Sequence, residues 1–217
     1  MTRIKCCGMT RVEDALLAAR LGADAIGLVF TVRSKRRVAL EQAQAIRCAL
    51  PPFVDAVALF MDDEAGFVAE VIEAVQPDLL QFHGDETDDW CARFGRPYLK
   101  AIAMGEGAAA LPRLHDYPRA AALLLDGHAA GEAGGSGKAF DRSLLPRDLA
   151  QPLILAGGLH AGNVGAAIRA ARPWAVDVAS GVESAPGIKD AGRLHGFIAA
   201  VRATDEGRGA NEGEDTP

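Results

Sequence analysis

A few residues in this sequence could move protons or hold an anion, and each follows directly on an apolar run. Cys7 ends the run RIKCC and precedes Gly8. A thiol at a strand end beside a glycine is a candidate catalytic group. Asp126 closes AALLLD, and a carboxylate at the end of a buried strand is costly unless it is paired, solvated or used. His83 follows DLLQF, and the basic loop from Thr31 to Arg37 carries Arg33, Lys35, Arg36 and Arg37. Gly157-Gly158, with a helix starting near Gly162, forms one half of an anion cradle, because bare backbone N–H groups and a helix N-terminus attract negative charge. Ser180-Gly181 would supply the other half.

Each of these residues also has a plainer reading. Cys7 could be a small buried residue, the basic run a solvated loop, His83 the cap of a turn, and the glycine pairs tight turns without a ligand. Adjacent strand residues point to opposite faces, so only one of Cys6 and Cys7 can reach a shared site. With Cys48 and Cys91 they form neither a CxxC pair nor a Cys/His cluster. That sets zinc and thioredoxin-like chemistry aside and favours reduced thiols.

The elements that must position these residues repeat one plan. A short apolar run ends in Gly, Asp or a polar cluster, and a helical pattern follows. The strands are RIKCC, DAIGLVF, FVDAVALF, DLLQF, YLKAI, AALLLD, PLILAG and WAVDVAS. Thr10 with Glu13 reads as a capping box. It opens a helix with Val12, Ala15, Leu16 and Ala19 on one face and Gly22 as its stop. A second helix spans about Ala39 to Leu50 ahead of Pro51-Pro52. A third carries Val68, Val71, Ile72 and Val75 and stops before Pro77. Val164, Ala167, Ile168 and Ala171 mark another before Pro173, and a helix near Asp190 to Arg202 closes the series.

About eight such units predict an α/β protein, a (β/α)8 TIM barrel forming a single compact domain. A doubly wound open sheet is the competing layout. In a barrel the ligand site lies at the C-terminal ends of the strands. There Cys7, the basic loop, Gln81-His83-Gly84-Asp85, Asp126-Gly127, Gly157-Gly158 and Ser180-Gly181 would converge.

Composition agrees with this layout and narrows the function. The 217 residues suffice for one closed core without disulfides or metals. The formal charge of −6 argues against a general nucleic-acid or membrane-surface binder, so an anion must be met by local basic groups and backbone N–H groups. No apolar run reaches the roughly 18 residues needed to span a bilayer, and MTRIKCCGMT has no signal-like hydrophobic segment, so a cytoplasmic location is expected. The domain is read as residues 1–203. Residues 204–217 (TDEGRGANEGEDTP) are polar, Gly-rich and without apolar anchors, which reads as a disordered acidic tail.

From end to end, the tail excepted, the chain resembles the phosphoribosylanthranilate isomerase family of tryptophan biosynthesis. The resemblance rests on IKCCGMTRVEDA, GADAIGLVF, SKRRV, LQFHGDE, LLLDG, GGSGKAFD, LAGGL with Asn163-Val164, and DVASGVESAPGIKD, in that order and spacing. It implies an Amadori rearrangement of N-(5-phosphoribosyl)anthranilate without metal or cofactor; a small-molecule phosphorylated substrate and a monomer or homodimer are expected. It also implies Cys7 as general base, Asp126 as general acid, and Arg36 on the anthranilate carboxylate. His83 would be a further substrate-binding residue, and the loops at Gly157-Gly158 and Ser180-Gly181 would hold the phosphate. The chain departs from the family at Cys6, where a branched apolar residue is common, at Ala179, where Ser is common, and at Arg142, where Trp is usual. Two rivals keep the barrel: a histidine-pathway-type isomerase, which by resemblance uses Asp where this chain has Cys7, and a non-catalytic phosphate-ligand-binding barrel.

Overall fold

A computed structural model of the chain describes residues 1–105, 107–127 and 149–212. Eight parallel strands close into a barrel in sequence order. They are β1 (Arg3–Cys7), β2 (Ala25–Val29), β3 (Asp55–Phe60), β4 (Leu79–Phe82), β5 (Tyr98–Ala103), β6 (Ala122–Asp126), β7 (Leu153–Leu155) and β8 (Ala175–Val178). Around them run α1 (Val12–Leu21), α2 (Leu40–Ala49), α3 (Ala65–Val75), α4 (Asp88–Ala92), α5 (Val164–Ala171) and α6 (Ala191–Glu212). A 3-10 helix, Gly107–His115, follows β5. The β8 exit forms a 3-10 turn, Ser180–Val182, and then a small antiparallel ribbon of β9 (Glu183–Ala185) and β10 (Ile188–Lys189).

Strand alternation divides the core in two. Ile4, Cys6, Ile26, Leu28, Phe60, Phe82, Leu123 and Leu125 face outward and pack under the helices. Val57, Leu99, Ala101, Ala122, Leu124, Ile154, Ala156 and Ala175 fill the barrel's interior. Above them Cys7, Val29 and Leu59 line its mouth. Strands buried on both faces need near-continuous apolar runs, which is what ALLL before Asp126 supplies. On the outer face, Phe30, Phe60 and Phe82 stack in turn from the ends of successive strands, tying the top of the barrel together over β2 to β4.

Helix stops fall where Gly and Pro place them. Gly22 caps α1 in the left-handed region at φ 101°, and Pro77 and Pro173 follow left-handed caps at Gln76 and Arg172. The start of α1 differs from the capping-box reading. Arg11 is the N-cap and receives no side-chain bond, because the Thr10 hydroxyl instead donates to the Gly187 carbonyl beside β10. The inward face of α1 also turns, with Asp14, Ala15 and Ala18 buried and Leu16 and Ala19 only half-buried. Burial of Asp14 is compensated by Arg11 and by the Lys189 backbone N–H. The final helix runs past the boundary drawn at 203: Thr204 is buried, and Asp205 binds both the backbone N–H and the hydroxyl of Thr2 at 2.7 Å. Among the described residues, no helix is long and apolar enough to cross a membrane.

Candidate functional site

The strands' C-terminal ends surround an open, concave cavity, the place where a barrel of this kind binds its ligand. Cys7, Arg36, His83, Asp126, Gly157, Gly158 and Ser180 all line it. Gly181 does not.

Cys7 is the last residue of β1 and points inward, whereas Cys6 points out into the apolar layer beneath the helices. Space for the thiol comes from β2: a Cβ on Gly27 would stand 2.7 Å from Cys7 Sγ. Two residues back on the same face, Lys5 lies inside the barrel and pairs at 2.7 Å with Asp177, its register partner across the β1–β8 seam. Burial pushes the Cys7 thiol up from its ordinary value. The Lys5 ammonium beside it pulls the other way, with Lys189 assisting and Asp177 opposing. Cys6, buried in apolar surroundings, is pushed up to about 12 and has no route to the cavity.

On the opposite side Asp126 ends β6, nearly fully buried, with its Oδ2 3.8 Å from Nε2 of His83. The amide nitrogen of Gln81 lies 3.2 Å from His83 Nδ1. With that amide donating, the ring's proton sits on Nε2, toward Asp126. Gln81 Oε1 is buried without a partner among the described residues, at a position lining the cavity. Below, Glu86 accepts from the backbone N–H groups of Asp62 and Gly84 and from the buried Lys100 ammonium. Lys100 in turn donates to the Gly84 carbonyl. The loop after β4 is thereby pinned, and His83 with it.

Of the four basic residues after β2, only Arg36 turns inward. Arg33, Lys35 and Arg37 are exposed, and Arg33 pairs with Asp62. The Arg36 Nε and Nη2 groups donate to the two oxygens of Glu183 at 2.8 and 2.7 Å. Its stem lies against Gly8, where a Cβ would come within 2.4 Å of Arg36 Cδ. Glu183 also accepts from Lys189 at 2.8 Å, and Lys189 reaches the Cys7 carbonyl at 2.6 Å. Burial pushes the Glu183 carboxyl up, but the Arg36 bonds and the Lys189 charge more than offset it, and it lies below its ordinary value.

Two loops meet at the remaining edge. Gly157 and Gly158 take positive φ of 80° and 64°, a conformation that favours glycine. Asn163 braces their loop by accepting from the His160 N–H and donating to the Gly158 carbonyl, and α5 begins at the next residue. Ser180 lines the same cavity as Gly157-Gly158. Gly181 sits behind, where a Cβ would fall 1.9 Å from the Leu159 carbonyl oxygen. Its contribution is the close approach of the two loops.

The structure thus brings seven of the eight residues singled out from the sequence to one cavity and places Gly181 in its support. GGSGKAFD (134–141) and Arg142 lie outside the described residues. Lys5, Gln81, Asp177, Glu183 and Lys189 carried no assigned role in the sequence. For Lys5 a signal existed: alternation puts it on the same face as Cys7, which is a charge facing a barrel interior. Glu183 and Lys189 meet Arg36 and Cys7 only through tertiary closure.

Comparison with known proteins places the chain among relatives. The family model for N-(5'-phosphoribosyl)anthranilate isomerase matches residues 4–200. The N-(5'-phosphoribosyl)anthranilate isomerase of Pseudomonas paraeruginosa is 53% identical over 201 residues, covering 93% of this chain and 95% of the relative. The crystal structure of phosphoribosyl anthranilate isomerase from Thermotoga maritima superposes with a TM-score of 0.87 at 40% identity, covering 94% of this chain and all of that one. A phosphoribosyl anthranilate isomerase in complex with reduced 1-(o-carboxyphenylamino)-1-deoxyribulose 5-phosphate superposes with a TM-score of 0.84 at 37% identity, with 94% and 100% covered.

Proposed function

Because the chain belongs to the N-(5'-phosphoribosyl)anthranilate isomerase family, we propose that Cys7 and Asp126 are the base and acid of its reaction. That reaction is the isomerisation of N-(5-phosphoribosyl)anthranilate to 1-(2-carboxyphenylamino)-1-deoxyribulose 5-phosphate, a step of tryptophan biosynthesis. The observation that carries the residue assignment is the convergence of Cys7 and Asp126 on one cavity, with a basic side chain at one edge and paired glycines at another.

Asp126 protonates the furanose ring oxygen, the ring C–O bond breaks, and the nitrogen lone pair forms an iminium at C1′. The Cys7 thiolate then removes the C2′ proton, and the electron pair of that bond moves to give an enolamine with neutral nitrogen. Tautomerisation yields the ketone. The thiol starts out disfavoured as an anion by burial. The cationic iminium supplies the missing positive charge at the moment the base is needed, and Lys5 supplements it. Gly157, Gly158 and Ser180 receive the phosphate at the start of α5, Arg36 receives the anthranilate carboxylate, and Gln81 Oε1 with His83 faces the sugar hydroxyls.

A histidine-pathway substrate is the second reading within this fold. Cys7 at the position where that type by resemblance has Asp argues against it. The enzyme needs no cofactor for these steps and works in the cytoplasm as a monomer or homodimer. Exposed Phe53 and half-exposed Trp174, both just ahead of strands at the barrel's base, give a dimer apolar surface to bury, and light scattering decides between the two states.

The test is turnover of phosphoribosylanthranilate by wild type, Cys7→Ser, Cys6→Ser and Asp126→Asn. Wild type and Cys6→Ser should be active, while the other two lose ~10²–10⁴-fold in kcat, the usual worth of a proton-transfer group. Near-normal turnover in Cys7→Ser or Asp126→Asn would remove that residue from its role.

A further inference from the structure

The guanidinium of Arg36 has two edges that can each bind a carboxylate through two parallel N–H groups: the side edge of Nε and Nη2, and the end edge of Nη1 and Nη2. The side edge is occupied, since Nε and Nη2 donate to the two oxygens of Glu183. Glu183 is itself held from three other directions. Lys189 donates to its Oε1 at 2.8 Å, the Gly187 N–H to the same oxygen at 3.2 Å, and Arg193 to its backbone carbonyl. Gly8 closes the arrangement from below, because only a residue without a Cβ leaves room for the Arg36 stem. Ser34 Oγ accepts from the Arg36 backbone N–H. A flexible side chain is therefore fixed along its length, at the edge of the cavity that Cys7 shares.

We propose that Glu183 is a positioning residue that selects the end edge of Arg36 for the substrate's carboxylate and so sets the enzyme's preference for an ortho-carboxylated arylamine. This rests on the reading of Arg36 as the carboxylate's partner. A bound Glu183 carboxylate leaves the guanidinium with one bidentate face, aimed in one direction, so the substrate's carboxylate does not have to choose among orientations. The entropy of ordering a long side chain is thereby removed from the binding step. Lys189 completes the device, because it neutralises the second negative charge that substrate brings near Glu183. Through its bond to the Cys7 carbonyl it also keeps the carboxylate site in register with the base.

The experiment compares wild type, Glu183→Gln, Glu183→Asp and Arg36→Met on two substrates, phosphoribosylanthranilate and its decarboxylated analogue N-(5-phosphoribosyl)aniline. Glu183→Asp keeps the charge beside Lys189 but is one methylene too short to hold Arg36 as well, so it serves if Glu183→Gln does not fold. Both Glu183 variants should raise KM for the carboxylated substrate about tenfold, the scale of a lost charge-assisted bond, with kcat less affected. The aniline analogue should lose clearly less. Equal losses on both substrates, or no loss on either, overturn the proposal. If Arg36→Met fails to distinguish the two substrates, the reading of Arg36 itself is wrong, a separate outcome.

Discussion

Lys5 and Asp177 press on the same thiol with opposite charges. Lys5 favours the Cys7 thiolate and Asp177 disfavours it, both against a background in which burial has already pushed the thiol up. Removing Lys5 takes away a cation, so Lys5→Met should shift the pH midpoint for alkylation of Cys7 by iodoacetamide further upward. Asp177→Asn takes away an anion and should shift it downward. The measurement belongs in a Cys48→Ser background, because Cys48 is an exposed thiol. Identical midpoints in all three proteins would mean that neither charge is felt at Cys7. That only one of Cys6 and Cys7 faces inward was legible in the sequence, since a period of two cannot send both to one side; that it is Cys7 is read from the structure. The pair beneath Cys7 was not legible, because Lys5 and Asp177 meet only when β1 closes on β8, 172 residues away.

At the level of elements, the proposed phosphate site depends on two loops approaching more closely than side chains permit. Gly181→Ala would place a methyl 1.9 Å from the Leu159 carbonyl, and one loop must move. Overpacking of this kind costs about 1–3 kcal/mol. Because one loop carries Gly157-Gly158 and the other Ser180, all lining the cavity, displacement of either should raise KM for substrate about tenfold or more, the equivalent of ~1.4 kcal/mol, and inorganic phosphate should inhibit more weakly. A KM unchanged from wild type would separate Gly181 from the site altogether. Gly66 is the contrasting case: it lies in α3, and nothing stands within 4 Å of its would-be Cβ. Gly66→Ala should therefore stabilise the protein by about 0.5–1 kcal/mol through helix propensity alone, a rise in Tm of about 1–4 °C at this size. Helix ends at Gly22, Gln76 and Arg172 were readable from Gly and Pro, which act locally. The start of α1 was not, because Thr10 has a competing acceptor at Gly187, 177 residues away.

For the molecule as a whole, closure of the barrel places the first and last elements side by side, and their ends are fastened together. Asp205 binds the N–H and hydroxyl of Thr2, while Arg202 donates to the carbonyls of Thr2 and Gly22. Thr2 is buried although it is the second residue of the chain. The polar composition of residues 204–217 gave no hint of this, since a clasp of hydrogen bonds needs no apolar anchor. Its loss should release β1 at its start, where the β1–β8 seam closes the sheet. Hydrogen bonds to a charged group contribute roughly 1.5–3 kcal/mol, less where solvent screens them. Asp205→Ala should thus cost about 1–3 kcal/mol, seen as a fall in Tm of roughly 2–10 °C. Truncation after Ala203 should cost at least as much, because it also removes Thr204. Truncation after Gly207 spares the clasp and should stay within about 0.5 kcal/mol of wild type. If the two truncations melt together at the wild-type temperature, the chain's ends do not contribute to closure, and the domain boundary at 203 stands as the sequence suggested. If both melt low, the stabilising contacts lie beyond Gly207 instead. Separation of the two, with Asp205→Ala following the shorter chain, would place the last structural contribution of the helix at the residues that hold Thr2.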